Sequence, residues 1–248
     1  MKNYKLIISY DGTKFHGFQI QKDKTTVQGE FQKALEIFTE KYELNYSGRT
    51  DAGVHAKSQV VNIKTELAIN NKTINSLNKI LGSKISINSF KTVKDSFHAR
   101  YDACERTYKY FVSDINQQYP YLSSQSYIYP KKLDLKKLNY LAKLFVGEHN
   151  FSSFSKHDVN KNPNRQIYKS KWVKKRDYFE YTITGNSFLR NMVRNLVGVQ
   201  IAYCEDKVTY DEVSKKRVTS NCILKIIPLF YPVTLVYLSI WVFIYIKF

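Results

Sequence analysis

Apolar and polar residues in the first part of the chain follow two periods, which predict strands and helices in turn. Short apolar runs are typical of buried strands, and apolar residues three or four positions apart are typical of helices packed on a core. Thr26 is a candidate N-cap for the first such helix. The strands are predicted at 5–10, 59–63 and 85–93, and the helices at 27–39 and after Thr73. This alternation indicates an α/β or α+β fold.

The second half begins near residues 97–100 and continues the alternation. A strand at 107–112 puts Tyr108 and Tyr110 on one face, where they either pack in a core or face RNA. A helix at 188–198 puts Arg190 and Arg194 one turn apart, either on a solvated basic face or around an anion that offsets their repulsion. Another helix is predicted at 135–146 and a hairpin over 172–184.

The charge of the chain points to an anionic partner. Lysine and arginine number 39 against 21 acidic residues, a formal charge of +18 over 248 residues. Such an imbalance is unfavourable without a polyanion or an anionic membrane. The chain also has 20 tyrosines and 15 phenylalanines. Aromatic rings interleaved with cations suit RNA, where bases stack on rings and phosphates attract cations, although most of these rings are expected in the core.

Cysteine usage and the N-terminus argue against a zinc site and a secretory signal. The three cysteines, Cys104, Cys204 and Cys222, are far apart and form no C-x-x-C pair. Their sparse, odd number fits a reducing compartment. The first residues lead directly into a predicted strand without a signal-peptide core. These features predict a cytoplasmic protein.

The densest candidate chemistry lies in the loop at 46–56. Gly48 and Gly53 bracket Arg49 and Asp51, and a predicted strand follows. Glycine permits tight turns and close approach by another molecule. An aspartate in such a turn often only accepts backbone hydrogen bonds. The alternative is a reactive carboxylate that a rigid scaffold presents.

Six segments in register resemble the tRNA pseudouridine synthase A (TruA) family. The resemblance covers about residues 4–214, and Phe18 stands where the family usually has tryptophan. The loop Gly48-Arg49-Thr50-Asp51-Ala52-Gly53-Val54-His55 is similar to the family's catalytic signature. The other segments are 10–19, 26–30, 97–100 with 106–110, 147–154, and 188–198.

The resemblance implies a fold, an activity and partners. The fold is α+β, with two similar α/β (ferredoxin/RRM-like) domains whose antiparallel-rich sheets join across a central cleft. The domains are expected at 1–98, with the catalytic loop, and at 99–248. The activity is isomerisation of uridine to pseudouridine at positions 38, 39 and 40 in the anticodon stem-loop of tRNA. A homodimer is implied, and no metal or other cofactor.

Site residues are carried over by matching positions. Asp51 matches the family's catalytic carboxylate, which attacks the base or the sugar or stabilises a glycal-type intermediate. Arg194 matches its basic partner, and Tyr108 matches the tyrosine stacked on the target uracil. Arg49 matches an arginine that occupies the position of the extruded base. Three further cations, Lys109, Arg165 and Arg190, are expected to contact phosphates.

The likeness to the family stops after about residue 214, and an apolar tail begins near 218. Residues 226–246 include 21 uncharged positions interrupted by Pro228 and Pro232. The tail is compatible with a shifted reading frame, with buried strands or with a membrane anchor. Because it departs from the family pattern, a catalytically impaired tRNA-binding protein or RNA chaperone is the alternative to an active synthase.

Overall fold

The computed structural model describes residues 1–114, 126–155, 162–218 and 245–247. Contacts divide these residues into two compact units. The first comprises residues 1–104 and the short strand near the C-terminus, and the second comprises the described residues between 105 and 218. Both units combine sheets with helices, so the predicted α+β class is confirmed.

The first unit follows a β-α-β-β-α-β order. Its four strands form one antiparallel sheet in the order β2-β3-β1-β4. This element order and sheet order are those of a ferredoxin-like unit. The elements are β1 (Lys2–Tyr10), α1 (Val27–Glu36), β2 (Tyr42–Tyr46), β3 (Ala56–Thr65), α2 (Asn71–Leu81) and β4 (Ile85–Val93).

Alternation along β1 builds the core of the first unit. Its even-numbered residues from Tyr4 onward are buried against apolar positions of α1 and α2, which the helical period places on one face of each helix. Thr26 caps α1 as predicted, since its hydroxyl accepts a hydrogen bond from the Gly29 amide at 3.2 Å. Asn70 caps α2 by accepting from the Thr73 amide. The core members from β1 are Tyr4, Leu6, Ile8 and Tyr10.

The second unit is built on a meander. β7, β8 and β9 pair antiparallel in sequence order, β9 pairs antiparallel with β5, and β6 adds a short parallel pair to β5. Trp172 and Tyr181 face each other in this sheet, stacked at 4.9 Å between ring centroids. The elements are β5 (Glu105–Ser113), β6 (Tyr127–Ile128), α3 (Leu135–Ala142), β7 (Gly147–Asn150), β8 (Asn164–Lys174), β9 (Phe179–Gly185), α4 (Met192–Cys204) and α5 (Tyr210–Val218).

The helix predicted at 188–198 starts later than expected. Asn191 has a φ of 62°, in the left-handed region, and α4 begins at Met192. Arg190 therefore lies in the turn before the helix. The prediction that Arg190 and Arg194 are adjacent on one helical surface is wrong, because a positive φ at residue 191 breaks the helical geometry between them.

The predicted apolar tail lies largely outside the described residues. Within it the structure describes β10 (Tyr245–Lys247), a three-residue strand. Among the helices of the described ranges, none combines the length and the apolar character needed to cross a bilayer.

Candidate active site

The loop that carries Asp51 is tied down where it leaves β2. Ser47 is buried, and its hydroxyl donates to the Gln59 side-chain oxygen at 3.1 Å. The Gln59 side-chain amide in turn donates to the Gly48 carbonyl. Gln59 belongs to β3, so the strand that follows the loop also fixes its beginning.

Thr50 anchors the centre of the loop between the two predicted functional residues. Its hydroxyl shares a hydrogen bond with the Tyr10 hydroxyl at 2.8 Å, and its carbonyl accepts from the Phe18 amide at 3.0 Å. Thr50 is 7% exposed, whereas Arg49 is exposed and Asp51 is half-buried. The buried threonine thus fixes the backbone from which the guanidinium and the carboxylate project.

Two glycines, Gly12 and Gly17, allow their segment of the chain to pack directly against this loop. Gly17 has a φ of +101°, and a Cβ atom there would lie 2.8 Å from the Thr50 carbonyl oxygen. A Cβ atom on Gly12 would overlap the Val54 carbonyl group. Only glycine combines this backbone conformation with so close an approach. The segment around Gly12 and Gly17 is therefore the floor of the Asp51 loop.

His55 joins the end of the loop to the same floor. Its Nδ1 atom lies 3.2 Å from the Gly12 amide, a donor, and 3.0 Å from an Asp11 carboxylate oxygen, an acceptor. It satisfies one of them at a time, because the neutral ring accepts from Gly12 and the protonated ring donates to Asp11. Burial lowers the pKa of His55 against the opposing Asp11 charge. The neutral ring, bonded to Gly12, is thus favoured.

Helix α1 holds the floor in place. The amides of Val27 and Gln28, in its first turn, donate to the carbonyls of Gly17 and Phe18 at 3.1 and 2.8 Å. First-turn amides have no partner within their own helix. The floor segment satisfies these donors, so loop, floor and helix form one hydrogen-bonded assembly.

The second unit contains the predicted Tyr108 and Arg194. Tyr108 on β5 is half-buried and meets Phe188 edge to face at 4.8 Å between centroids. Arg194 on α4 is only 7% exposed. It lies near enough to the buried Tyr110 to affect that hydroxyl, although burial raises the pKa of Tyr110 more than the Arg194 charge lowers it.

The three predicted phosphate contacts, Lys109, Arg165 and Arg190, differ in their surroundings. Lys109 Nζ lies 2.9 Å from Glu180. Arg165 donates to the carbonyls of Asn162 and Asn164, both at 2.6 Å. Burial lowers its pKa, and its buried Nε atom has no hydrogen-bond partner among the described residues. Arg190 is exposed. The structure thus groups Arg49 with Asp51 in one unit, and the other five candidates lie in the second.

The sequence analysis did not assign the residues that hold the Asp51 loop in place. Tyr10, Gly12, Gly17 and His55 lie in segments that it noted only for their resemblance to the family. The available signal was the pair of glycines at 12 and 17, close to aromatic residues and just before a helix cap.

Comparisons with known proteins place the chain in a class of RNA-modifying enzymes. The profile of the tRNA pseudouridine synthase family matches residues 6–102 and 141–221. A protein of Borreliella afzelii named tRNA pseudouridine synthase A is 42% identical over 207 residues, covering 81% of this chain and 83% of the relative. One of the same name from Borrelia duttonii is 39% identical over 204 residues, with the same shares covered.

These matches identify the chain as an isomerase that modifies tRNA. It belongs to the tRNA pseudouridine synthase family. Among solved structures, a chain of a Cbf5-Nop10-Gar1 complex aligns with 79% of this chain and 53% of its own length. That alignment has a TM-score of 0.32 and 11% identity.

Proposed function

We propose that this enzyme converts uridine to pseudouridine at positions 38, 39 and 40 in the anticodon stem-loop of tRNA, with Asp51 as the nucleophile. The observation that carries the proposal is the fixed backbone of the Asp51 loop. Phe18 donates to Thr50 on one side of Asp51, and Gly53 donates to Phe15 on the other, at 3.0 and 3.2 Å. A carboxylate held in this way reacts without first being ordered.

The reaction exchanges one glycosidic bond for another. The N1–C1′ bond of uridine breaks, the uracil turns, and a C5–C1′ bond forms. C5 loses a proton and N1 gains one, so the product is an isomer of the substrate. A carboxylate that bonds covalently to the substrate divides this exchange into easier steps.

The carboxylate of Asp51 has to be ionised to attack. We assign Arg194 as the cation that maintains this charge, because a guanidinium stays protonated even when it is buried, and Arg194 is 7% exposed.

The remaining candidates are assigned to the RNA. Tyr108 stacks on the extruded uracil, and Arg49 fills the position that the base vacates. Arg165 and Arg190 bind phosphates. Lys109 is assigned the weakest phosphate contact, because Glu180 already offsets its charge at 2.9 Å.

A cytoplasmic homodimer that shares one tRNA completes the proposal. Each chain carries a formal charge of +18, so two copies repel each other until a polyanion offsets that charge. Sedimentation of the protein with and without tRNA measures the stoichiometry, and two chains per tRNA are expected.

The decisive test is incubation of the full chain with an anticodon stem-loop, followed by carbodiimide derivatisation and mass spectrometry, because the isomerisation itself does not change the mass. Asp51→Asn is expected to lower kcat by at least about 10³-fold. Asp95→Asn is the matched control, since Asp95 is an exposed aspartate of the same unit that pairs with Lys64 at 3.1 Å.

Two outcomes would contradict the proposal. Undiminished conversion by Asp51→Asn would show that another group is the nucleophile. Tight binding of tRNA by the unaltered protein, with no pseudouridine formed, would instead favour the catalytically impaired tRNA-binding protein.

A further inference from the structure

The segment at 94–102, which follows β4, is fastened to the sheet by two buried asparagines. Asn3 and Asn62 are 3% and 0% exposed, and the Asn62 amide donates to the Asn3 side-chain oxygen at 3.0 Å. The Asn3 amide donates to the Lys94 and Phe97 carbonyls at 3.0 and 2.9 Å. Buried amides are costly unless they are hydrogen-bonded, so this network fixes the path of the segment.

The anchoring ends at Ala99, and the chain then turns outward. The Ala99 amide donates to Asn62 at 2.9 Å, and Ala99 is fully buried. Asp102 closes the turn, because its carboxylate accepts from the His98 amide and its own amide donates to the His98 carbonyl, both at 3.0 Å. Arg100 donates its amide to His98 Nδ1 at 3.1 Å. The turn therefore presents residues 100 and 101 on a fixed backbone.

This fixed turn displays an aromatic ring. Tyr101 is 75% exposed, the largest exposure among the large hydrophobic residues of the described chain. Its ring lies 4.3 Å from the His98 ring, and the Arg100 guanidinium lies 5.7 Å from its centroid. An isolated surface tyrosine needs no explanation. Packing does not account for Tyr101, because its ring buries little surface although it lies between two planar groups on a turn that buried residues hold in place.

The same segment lies beside a concentration of positive charge. Lys5 Nζ lies 5.6 Å from the Phe97 ring. Lys5 also sits directly opposite Lys91 in the β1–β4 pairing, and like charges in that position are unfavourable. Burial, and then the Lys91 charge, lower the pKa of Lys5. An anion bound at this place would offset the repulsion.

We propose that Arg100 and Tyr101 form a stacking platform for an unpaired nucleotide of the bound tRNA, with Lys5 and Lys91 attracting the adjoining phosphates. Aromatic rings and guanidinium planes are the groups on which proteins stack unpaired RNA bases. The inference rests on the tRNA-modifying activity and adds a binding element separate in sequence from the Asp51 loop.

The test compares tRNA affinity and kinetics of full-length variants. Tyr101→Ala is expected to raise the Kd for tRNA at least about fivefold, the loss of one stacked base, and to raise KM more than it lowers kcat. Tyr101→Phe keeps the ring and is expected to keep the affinity. Tyr140→Ala is the matched control, because Tyr140 is 55% exposed and also has aromatic neighbours, Tyr203 and Tyr210.

The salt dependence of tRNA binding distinguishes the stacking contribution of Tyr101 from the phosphate contacts of the lysines. Lys91→Gln is expected to reduce the slope of log Kd against log salt by about one charge, because Lys91 is assigned to a phosphate, whereas Tyr101→Ala leaves that slope unchanged. An unchanged Kd for Tyr101→Ala, measured on protein that still isomerises uridine, would overturn the platform and leave the activity standing. Absence of isomerisation by the unaltered protein would overturn the proposed function instead.

Discussion

Thr50 shows how a single buried side chain can serve two exposed neighbours. It contributes no charge, yet its bonds to Tyr10 and Phe18 set the direction of the backbone at Arg49 and Asp51. The sequence motif identified the two charged residues but not this support. Tyr10 is 40 positions from Thr50, and a hydrogen bond of that range leaves no periodic signal in the sequence.

We expect Tyr10→Phe and Thr50→Val each to lower kcat by about tenfold, because small displacements of a catalytic group are costly. The double variant is expected to lose less than the sum of the two changes, with a coupling of about 0.5–1.4 kcal/mol in the double-mutant cycle, the upper limit being the cost of one tenfold loss. Single-turnover kinetics with saturating tRNA measures this coupling.

Tyr4→Phe is the control for this cycle, since Tyr4 and Tyr10 are each 4% exposed on the same strand, β1. It is expected to retain kcat. Strictly additive losses in the Tyr10 and Thr50 variants would show that their shared hydrogen bond does not position Asp51.

Helices and strands that carry a regular pattern of apolar residues were predictable from the sequence. An exposed edge strand and a helix start that depends on one backbone torsion were not. The helix at 27–39 and the strands at 5–10, 59–63 and 85–93 correspond to α1, β1, β3 and β4, because each contributes buried apolar residues to the core. β2 was missed because it is a half-exposed edge strand. The start of α4 was misplaced because hydrophobicity does not report the positive φ of Asn191.

Asn191 provides a test at this level. Asn191→Ala is expected to lower the free energy of unfolding by about 1 kcal/mol, because alanine disfavours the left-handed region, which asparagine tolerates. Asn191→Gly is expected to leave it nearly unchanged. Urea denaturation measures both variants, and equal stabilities for alanine and glycine would contradict the left-handed start of α4.

For the protein as a whole, the charge of +18 should make salt act in opposite directions on two properties. Raising salt from 50 to 200 mM is expected to weaken tRNA binding by at least about 10²-fold, through counterion release. The same change is expected to raise the free energy of unfolding of the RNA-free protein, because salt screens self-repulsion.

Fluorescence anisotropy with labelled tRNA and urea denaturation at both salt concentrations make this comparison. A tRNA affinity that is independent of salt concentration would mean that the excess lysines and arginines do not contact phosphates. The composition alone led to this property, whereas the ion pair of Lys109 with Glu180 and the carbonyl partners of Arg165 became visible only in the structure.

The buried pair Asn3–Asn62 has a consequence for how the protein emerges from the ribosome. Asn3 lies in the first strand to be synthesised, but its side-chain amide donates to carbonyls at residues 94 and 97. Its partner Asn62 accepts a hydrogen bond from the amide of Ala99, which is also synthesised much later. β1 also lies between β3 and β4 in the sheet. The nascent chain therefore cannot complete the four-stranded sheet and its buried asparagine pair until nearly a hundred residues have left the exit tunnel, and the segment that closes this hydrogen-bond network is the one that carries Tyr101.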